Sequence, residues 1–465
     1  MVRSARPRPF VIKRTLVRHL LQKDIRSYAG TIALGTGISR ILGYGREVLM
    51  AALFATSNAT DAWLMASVLP NLLFTALYGS VSNLIVPLYL ESQKTSSHEN
   101  ANAFIQEVFT LLTVVAVVLT LVVFVFSRMI IHGLAPGFHG TTFQLTVTMT
   151  RIMLPTFLFW LWAGFFTALL QSLNIYGPPA WASVLQNIVR IAAIITLGRV
   201  MGIVGVAWGY TIGVGAQLVL LASTTHRAPL HIGFRWPLTH ALVRKLFRLA
   251  LPVVLTSLVS AMGLTVDRIF ASRLATGSIA ALNYSFLLIM LPISLVAIPL
   301  AIPVLTALSR QFIEQQYQEW TRLLRRSSLA LALVMGILTV ILILLRGPLI
   351  ELLYEHGNFG LHSAYITAGI LPYFAVGLIA MALAQLFLKA LVSIQYTATL
   401  SVWAIAAGVT NILADFILVH VLQARGLALG TSLGNIVYAC GLAWSVRSAI
   451  RAQRHRRRDP LVHSG

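Results

Sequence analysis

The sequence predicts an all-α polytopic membrane protein, with about 12 transmembrane helices in two six-helix lobes around a central cavity. Three observations predict it. The 465 residues are 57% hydrophobic and only 10% charged, whereas a soluble domain carries about 25% charged residues. Lys and Arg gather in short segments between long apolar runs. And the two halves of the chain carry the same landmarks in the same order.

The helices come first. A spanning helix needs about 20 mostly apolar residues. Such stretches lie over 29–54, 61–91, 104–131, 143–173, 179–199, 202–224, 244–272, 278–312, 326–346, 362–394, 397–420 and 423–447. The first run is long and lacks a small-residue cleavage site, so it reads as a retained helix, not a signal peptide. Cys440 is the only cysteine and sits in an apolar run. Disulfides and thiolate metal sites are therefore excluded.

Charge fixes the orientation. The net charge is +22. A nucleic-acid domain would place that charge on one soluble face. Here it falls in four segments. The tail before Tyr28 holds Arg3, Arg6, Arg8, Lys13, Arg14, Arg18, Lys23 and Arg26. The middle connection holds Arg227, Arg235, Arg244, Lys245 and Arg248. A later loop holds Arg310, Arg322, Arg325 and Arg326, and the end holds Arg447, Arg451, Arg454, Arg456, Arg457 and Arg458. With twelve spans all four lie on one side, and the opposite loops hold only Arg128, Arg199, Arg273, Arg346 and Arg425. The positive-inside rule then puts both termini in the cytoplasm. The basic tails also suit anionic lipid headgroups.

The chain repeats itself once. Gly205-Val-Ala-Trp-Gly209-Tyr-Thr-Ile-Gly213 corresponds to Gly426-Leu-Ala-Leu-Gly430-Thr-Ser-Leu-Gly434. Asn187-Ile188 corresponds to Asn411-Ile412, Leu154-Pro155 to Leu371-Pro372, and Val86-Pro87 to Ile302-Pro303. The last two Pro pairs are expected to close a helix. The separation is 216–224 residues throughout. Small residues at every fourth position pack helices by themselves, but that does not account for four landmarks in one order. Parallel repeats of six helices are a transporter plan, with the substrate between the halves near the midplane. The expected organisation is a basic cytoplasmic segment 1–28, lobes 29–224 and 244–447, a cytoplasmic linker 225–243 and a basic tail 448–465.

Charges within the membrane are expensive and mark function. The first helix carries Arg40, Arg46 and Glu47, and Asp61 opens the second. Six residues put Arg40 and Arg46 about 120° apart around the helix and about 9 Å apart along it. Both can line one broad cavity wall. Two guanidinium forks suit a phosphate or pyrophosphate. The competing reading is an internal Arg46–Glu47 pair and a snorkelling Arg40. Arg151 and Arg190 fit either the cavity or an interface, and Lys389 fits a snorkelling position. His132, His139, His356 and His362 fall in outer loops.

The second half offers oxygen donors. Asn411 and Asp415 share a helix face, Asp267 lies in the seventh helix and Thr431 begins the twelfth. Carboxylate, amide and hydroxyl oxygens suit a hard cation such as sodium, and the lack of Cys and His disfavours a transition metal. The alternative is that Asp267 pairs with Arg268 or another helix. No nucleophilic triad or phosphate-cradling loop stands out, so the chain is expected to transport and not to catalyse.

These residues carry a family resemblance. Ser39-Arg40-Ile-Leu-Gly-Tyr-Gly-Arg46-Glu47, Ala59-Thr60-Asp61-Ala62 and Leu69-Pro70-Asn71-Leu72-Leu73 resemble the MurJ/MviN lipid II flippases. So do Leu134-Ala135-Pro136-Gly137-Phe138, Arg151-Ile-Met-Leu-Pro155, Ala281-Leu282-Asn283-Tyr284 and Leu308-Ser309-Arg310. That family belongs to the multidrug/oligosaccharidyl-lipid/polysaccharide exporter superfamily. The resemblance spans about residues 30–447. It implies alternating access in the bacterial plasma membrane. The implied cargo is lipid II, the undecaprenyl-pyrophosphate-linked peptidoglycan precursor, with membrane lipids and cell-wall synthesis proteins as partners. It implies substrate binding by Arg40, Arg46, Glu47 and Asp61. Some members bind sodium, and Asp267, Asn411, Asp415 and Thr431, with the Leu427 carbonyl, resemble that set. Two positions depart: Phe74 stands where the family has an arginine, and Ser285-Phe286-Leu287 where it has Ala-Asp-Arg. Many members carry two further C-terminal helices, which this sequence does not have. The rival expectations are an exporter of another polyprenyl-linked oligosaccharide, a cation-coupled drug antiporter, and a non-transporting scaffold in wall synthesis.

Overall fold

The computed structural model describes residues 14–95, 98–226, 232–236, 241–396 and 398–458. The outer parts of the basic ends and the rest of the linker lie outside the described residues, and so does the placement of their charges. Among the described residues there is no strand.

The first half runs α1 (Arg14–Phe54), α2 (Asn58–Ala66), α3 (Val68–Leu73), a π-helical turn (Phe74–Tyr78), α4 (Gly79–Thr95), α5 (His98–Leu134), α6 (Gly140–Met153), α7 (Pro155–Ser172), α8 (Gly177–Met201) and α9 (Ile203–Thr225). The second runs α10 (Ala241–Ala271), α11 (Ser278–Pro292), a π-helical turn (Ile293–Ala297), α12 (Ile298–Ile313), α13 (Tyr317–Leu344), α14 (Arg346–Tyr354), α15 (Leu361–Ala375), α16 (Leu378–Ser393), α17 (Ala398–Leu422) and α18 (Ala424–Arg458). Local chemistry sets the breaks. Ser57 caps α2 by accepting from the Thr60 amide, as an N-cap should. Pro155 opens α7, where its missing N–H costs nothing.

Every expected helix is present, but the count of twelve spans is not reproduced. Among the described residues, eight helical stretches are long and apolar enough to cross a membrane, and α15 with α16, bent by 46°, makes a ninth. Of the other expected helices, the one over 29–54 carries Arg40, Arg46 and Glu47, and many side chains of those over 61–91 and 244–272 lie outside the described residues. Pro87 and Pro303 also do not close helices: they lie inside α4 and α12. Instead, both halves carry a π-turn at matching places, a landmark that the Pro pairs had only hinted at.

The core divides largely by half. Phe104, Phe165, Phe166 and Leu169 anchor one cluster between α4, α5 and α7. Tyr284, Trp320, Tyr354 and Leu371 anchor the larger one in the second half. The division is not clean at α10. Val243 and Leu246 pack into the first half's cluster, and Lys245 Nζ meets Glu91 Oε2 at 2.8 Å. Outside, Val125, Met129, Leu333, Leu344 and Val421 stand exposed. On a water-soluble protein such a surface would drive association, and here it is a face for acyl chains.

Candidate transport cavity and ion cluster

A central cavity lies between the halves, lined by α1, α2, α3, α8, α9, α10 and α11. Arg46, Glu47, Arg190 and Arg268 supply its charge. Arg46 reaches it because α1 runs beside α8. Asn187 on α8 accepts from Arg46 Nη1 at 3.3 Å, and its own amide donates to the Ser39 carbonyl at 3.2 Å. Arg46 Nη2 also donates to Glu47 Oε1 at 2.5 Å. The internal pair weighed from the sequence therefore exists, yet both partners still line the cavity.

Arg190 holds the most unusual position. It is 9% exposed. Its guanidinium lies 3.8 Å above the Tyr210 ring, a cation–π arrangement. Its Nε and Nη2 have no hydrogen-bond partner among the described residues. Tyr210 is held by a bond from its hydroxyl to Asn71 Oδ1 at 3.2 Å. Gly213 makes the room: a Cβ there would stand 2.7 Å from Arg190 Cγ. Arg268 enters from α10 and donates to the Leu64 carbonyl at 2.9 Å. Three arginines and one glutamate leave the wall cationic and leave guanidinium donors free for an anion.

The remaining arginines divide. Arg151 donates to Ser127 Oγ at 2.9 Å and lies over Phe124, so it belongs to the α5–α6 packing. Arg40 is exposed, outside the cavity, with Nη1 3.5 Å from the Ser294 carbonyl across the two halves. Its expected place in the cavity wall is not the one it takes here, because the helix phase that presents Arg46 inward turns Arg40 toward the π-turn of the second half. Phe74 is absorbed by rings, 4.2 Å from Trp160 and 5.2 Å from Tyr78. Phe286 packs on Phe374, and Leu287 lines the cavity.

Asp61 also departs from expectation. It is 3% exposed and stands away from the cavity lining. Its Oδ2 accepts from the Gly277 amide at 2.7 Å and its Oδ1 from the Ala280 amide at 2.8 Å. A carboxylate at the N-terminus of α11 answers both its free amides and its dipole. Other contacts join the halves at the same end. Thr276 Oγ1 donates to Asn58 Oδ1 at 2.9 Å, the Thr56 and Ser363 hydroxyls are 2.7 Å apart, and Asn358 Nδ2 donates to the Leu53 carbonyl at 2.7 Å. Gly277 adopts φ +85° with the Thr56 carbonyl against its Cα, a position only glycine fills without strain. Together these form a latch at the end of the bundle away from the chain termini.

The second half gathers the expected oxygen donors. Thr431 Oγ1 donates to Asp267 Oδ2 at 2.8 Å and approaches the Leu427 carbonyl at 3.2 Å. With its amide oriented to satisfy both neighbours, Asn411 donates to Asp267 Oδ1 at 3.2 Å and accepts from the Thr431 amide at 3.0 Å. Asp415, fully buried, meets the Asp267 carboxyl, and its Oδ1 lacks a partner among the described residues. Asp267 thus turns to Thr431 while adjacent Arg268 turns to the central cavity, so the two do not pair. No cluster of three or more His, Cys, Asp or Glu is present among the described residues.

A two-lobed helical membrane protein with a cationic central cavity and a latch at one end is a transporter of the multidrug/oligosaccharidyl-lipid/polysaccharide exporter fold. Known proteins narrow this. A family model described as "Lipid II flippase MurJ" matches residues 50–457, and the chain belongs to that family. It is 27% identical over 414 residues to the lipid II flippase MurJ of Burkholderia cenocepacia, covering 87% of this chain and 80% of that one. It is 30% identical to a probable lipid II flippase MurJ of Rhizobium meliloti, covering 86% and 76%. A solved structure titled as lipid II flippase MurJ in an inward closed conformation superposes with a TM-score of 0.79 at 26% identity, over 90% of this chain and 87% of that chain. An inward-facing MATE transporter shares the fold, with a TM-score of 0.74 at 15% identity over 90% and 96%.

Proposed function

We propose that this chain flips lipid II across the bacterial inner membrane by alternating access, supplying peptidoglycan synthesis. The observation that carries the reading is the group of three arginines, Arg46, Arg190 and Arg268, that line one cavity. A polyprenyl pyrophosphate is an anionic headgroup that must leave water to cross. Guanidinium donors in a low-dielectric cavity replace its hydration and match its oxygens in pairs. Arg40 meets the incoming headgroup at the cytoplasmic mouth. Asp61 holds the outer latch while the cavity is open inward. The basic ends face the cytoplasm by the charge bias, which makes the latched end the outer one. The lobes 29–224 and 244–447 are the moving bodies, with α10 crossing between them.

Asp267, Asn411, Asp415, Thr431 and the Leu427 carbonyl fit a sodium ion. Two buried carboxyls in contact need a cation or a proton between them, and the unpartnered Asp415 Oδ1 is the atom such an ion satisfies. A bound sodium supplies charge balance that couples the second lobe to the ion gradient.

The test is complementation of a strain depleted of its lipid II flippase. The parent chain is expected to restore growth and Arg46→Ala to abolish rescue at equal membrane abundance. Full rescue by Arg46→Ala overturns the cavity assignment.

A further inference from the structure

A second basic pocket lies outside the transport path. It has a volume of about 610 Å³ and is walled by α14, α15 and the turn from α17 into α18. Arg346 and Arg425 face it, with Glu351, Tyr365 and Tyr373 and with Gly369 at its floor. Both arginines are exposed, and neither is within ion-pair distance of a carboxylate among the described residues. They are also two of the few cations at the latched end of the bundle, where the positive-inside rule disfavours them. Two arginines there, unpaired and facing a single glutamate, need another reason.

The fold places Arg425 with care. Its guanidinium lies across Gly369, where a Cβ would stand 3.3 Å from Nη2. Gly369 follows Leu361 by eight residues, about 12 Å down α15. The groove therefore runs from the end of α15 toward the midplane, with Arg425 partway down it. Leu361 and Tyr365, which line it, are more than two-thirds exposed, and so are Leu344, Leu352 and Val421, each within four residues of a lining residue in sequence. Exposed leucines beside tyrosines and arginines are the side-chain arrangement of a membrane–water interface. A water-soluble anion would have no use for such leucines. A lipid would, with its chains on the leucines and its phosphate between the guanidinium groups.

We propose that this groove binds the phosphate of a lipid in the outer leaflet. The shared chemistry is an acyl or prenyl chain joined to a phosphate ester. It has two sources: an anionic phospholipid that steadies the latched second lobe, or the pyrophosphate lipid released outward. The site does not use the central arginines, so it stands or falls separately from the cargo assignment.

The experiment is native mass spectrometry of the full-length chain in detergent, with phosphatidylglycerol, phosphatidylcholine or undecaprenyl pyrophosphate added. The parent is expected to retain at least one of the two anionic lipids in preference to phosphatidylcholine. Arg346→Gln with Arg425→Gln is expected to weaken that binding about tenfold or more and to leave phosphatidylcholine unchanged. Gly369→Val, which displaces Arg425 without removing a charge, is expected to reproduce the loss. Loss of phosphatidylglycerol alone identifies a phospholipid site, and loss of the pyrophosphate alone identifies an exit site. Unchanged binding of both anionic lipids to the double variant overturns the proposal. So does equal binding of phosphatidylcholine by the parent. Thermal unfolding of each variant distinguishes lost binding from lost fold.

Discussion

Removing the Asp61 carboxylate should open the outer end of the molecule. The side chain accepts two backbone hydrogen bonds across the halves, at 2.7 and 2.8 Å, in a site only 3% exposed. Hydrogen bonds to a charged group contribute about 1.5–3 kcal/mol each. The two share one carboxylate and do not add fully, so about 3 kcal/mol is a fair figure for the latch. If opening that end separates Asp61 from the start of α11, as the proposed function requires, the whole difference acts on the equilibrium between states. At about 1.4 kcal/mol per tenfold, Asp61→Ala should shift the closed-to-open ratio about a hundredfold. Asp61→Asn keeps one acceptor but turns an NH2 group toward the second amide, so it should lose about half of that energy. The assay places a cysteine at Asn283, in the cavity wall one turn beyond Ala280, in a Cys440→Ser background. An impermeant maleimide added outside right-side-out cells should label it slowly in the parent and much faster in Asp61→Ala. Equal labelling rates in parent and Asp61→Ala would refute the latch.

Arg190→Ala should cut vesicle flipping more than tenfold with normal folding, and Arg190→Lys should restore only part, because an ammonium does not reproduce a stacked fork. Thr431→Val should abolish any sodium-specific rise in melting temperature, with potassium inert in both proteins; a retained sodium shift would remove Thr431 from the ion set. Gly205→Leu should strip the protein from the membrane, since the Leu197 carbonyl lies where its Cβ would go. Gly133→Ala, with open space around it, should be neutral or stabilising by up to about 1 kcal/mol in thermal unfolding.

Much of this was legible because the relevant signals are local. Apolar length and the placement of Lys and Arg decide the helices; most stand within a few residues of where hydropathy puts them, while α1, α13 and α18 run on into polar segments that hydropathy does not mark. That Asn411, Asp415, Asp267 and Thr431 come together was legible for a similar reason. Asn411 and Asp415 are one turn apart, and their polarity in an apolar run has few explanations. Arg40 and Asp61 were harder. Their chemistry marks them as functional, but whether they line a cavity or join two helices depends on how the lobes meet. No spacing along the chain encodes that contact. Arg268 did not stand out as a primary cavity residue, because its neighbour Asp267 offers an obvious partner in sequence. The fold turns consecutive side chains to different faces of α10. A better signal was available for Arg190: Gly213, the last glycine of the motif on α9, is the gap through which its side chain passes.

That glycine motif bears on how one duplicated plan yields two kinds of site. In the first half Gly213 accommodates Arg190. In the second, Gly430 lies against Asp415 Oδ1, and a Cβ at Gly434 would sit 3.2 Å from Asn411 Cβ. Helix packing alone explains why small residues recur at these positions, but not why a polar side chain fills the space so often. Close approach of two helices excludes water, and a charge held there is costly unless something answers it. The first lobe answers Arg190 with the Tyr210 face and leaves two guanidinium nitrogens unsatisfied. The second answers Asp415 with Asp267, which deepens the deficit of positive charge. On the proposed function, an anionic headgroup would relieve the first and a cation the second. Each lobe is thus incomplete in the opposite sense, and a transporter that carries an anion outward and resets on a cation gradient has use for both. Phe74 and Leu287 stand where the resemblance leads one to expect arginines, and Arg190 and Arg268 still line the cavity.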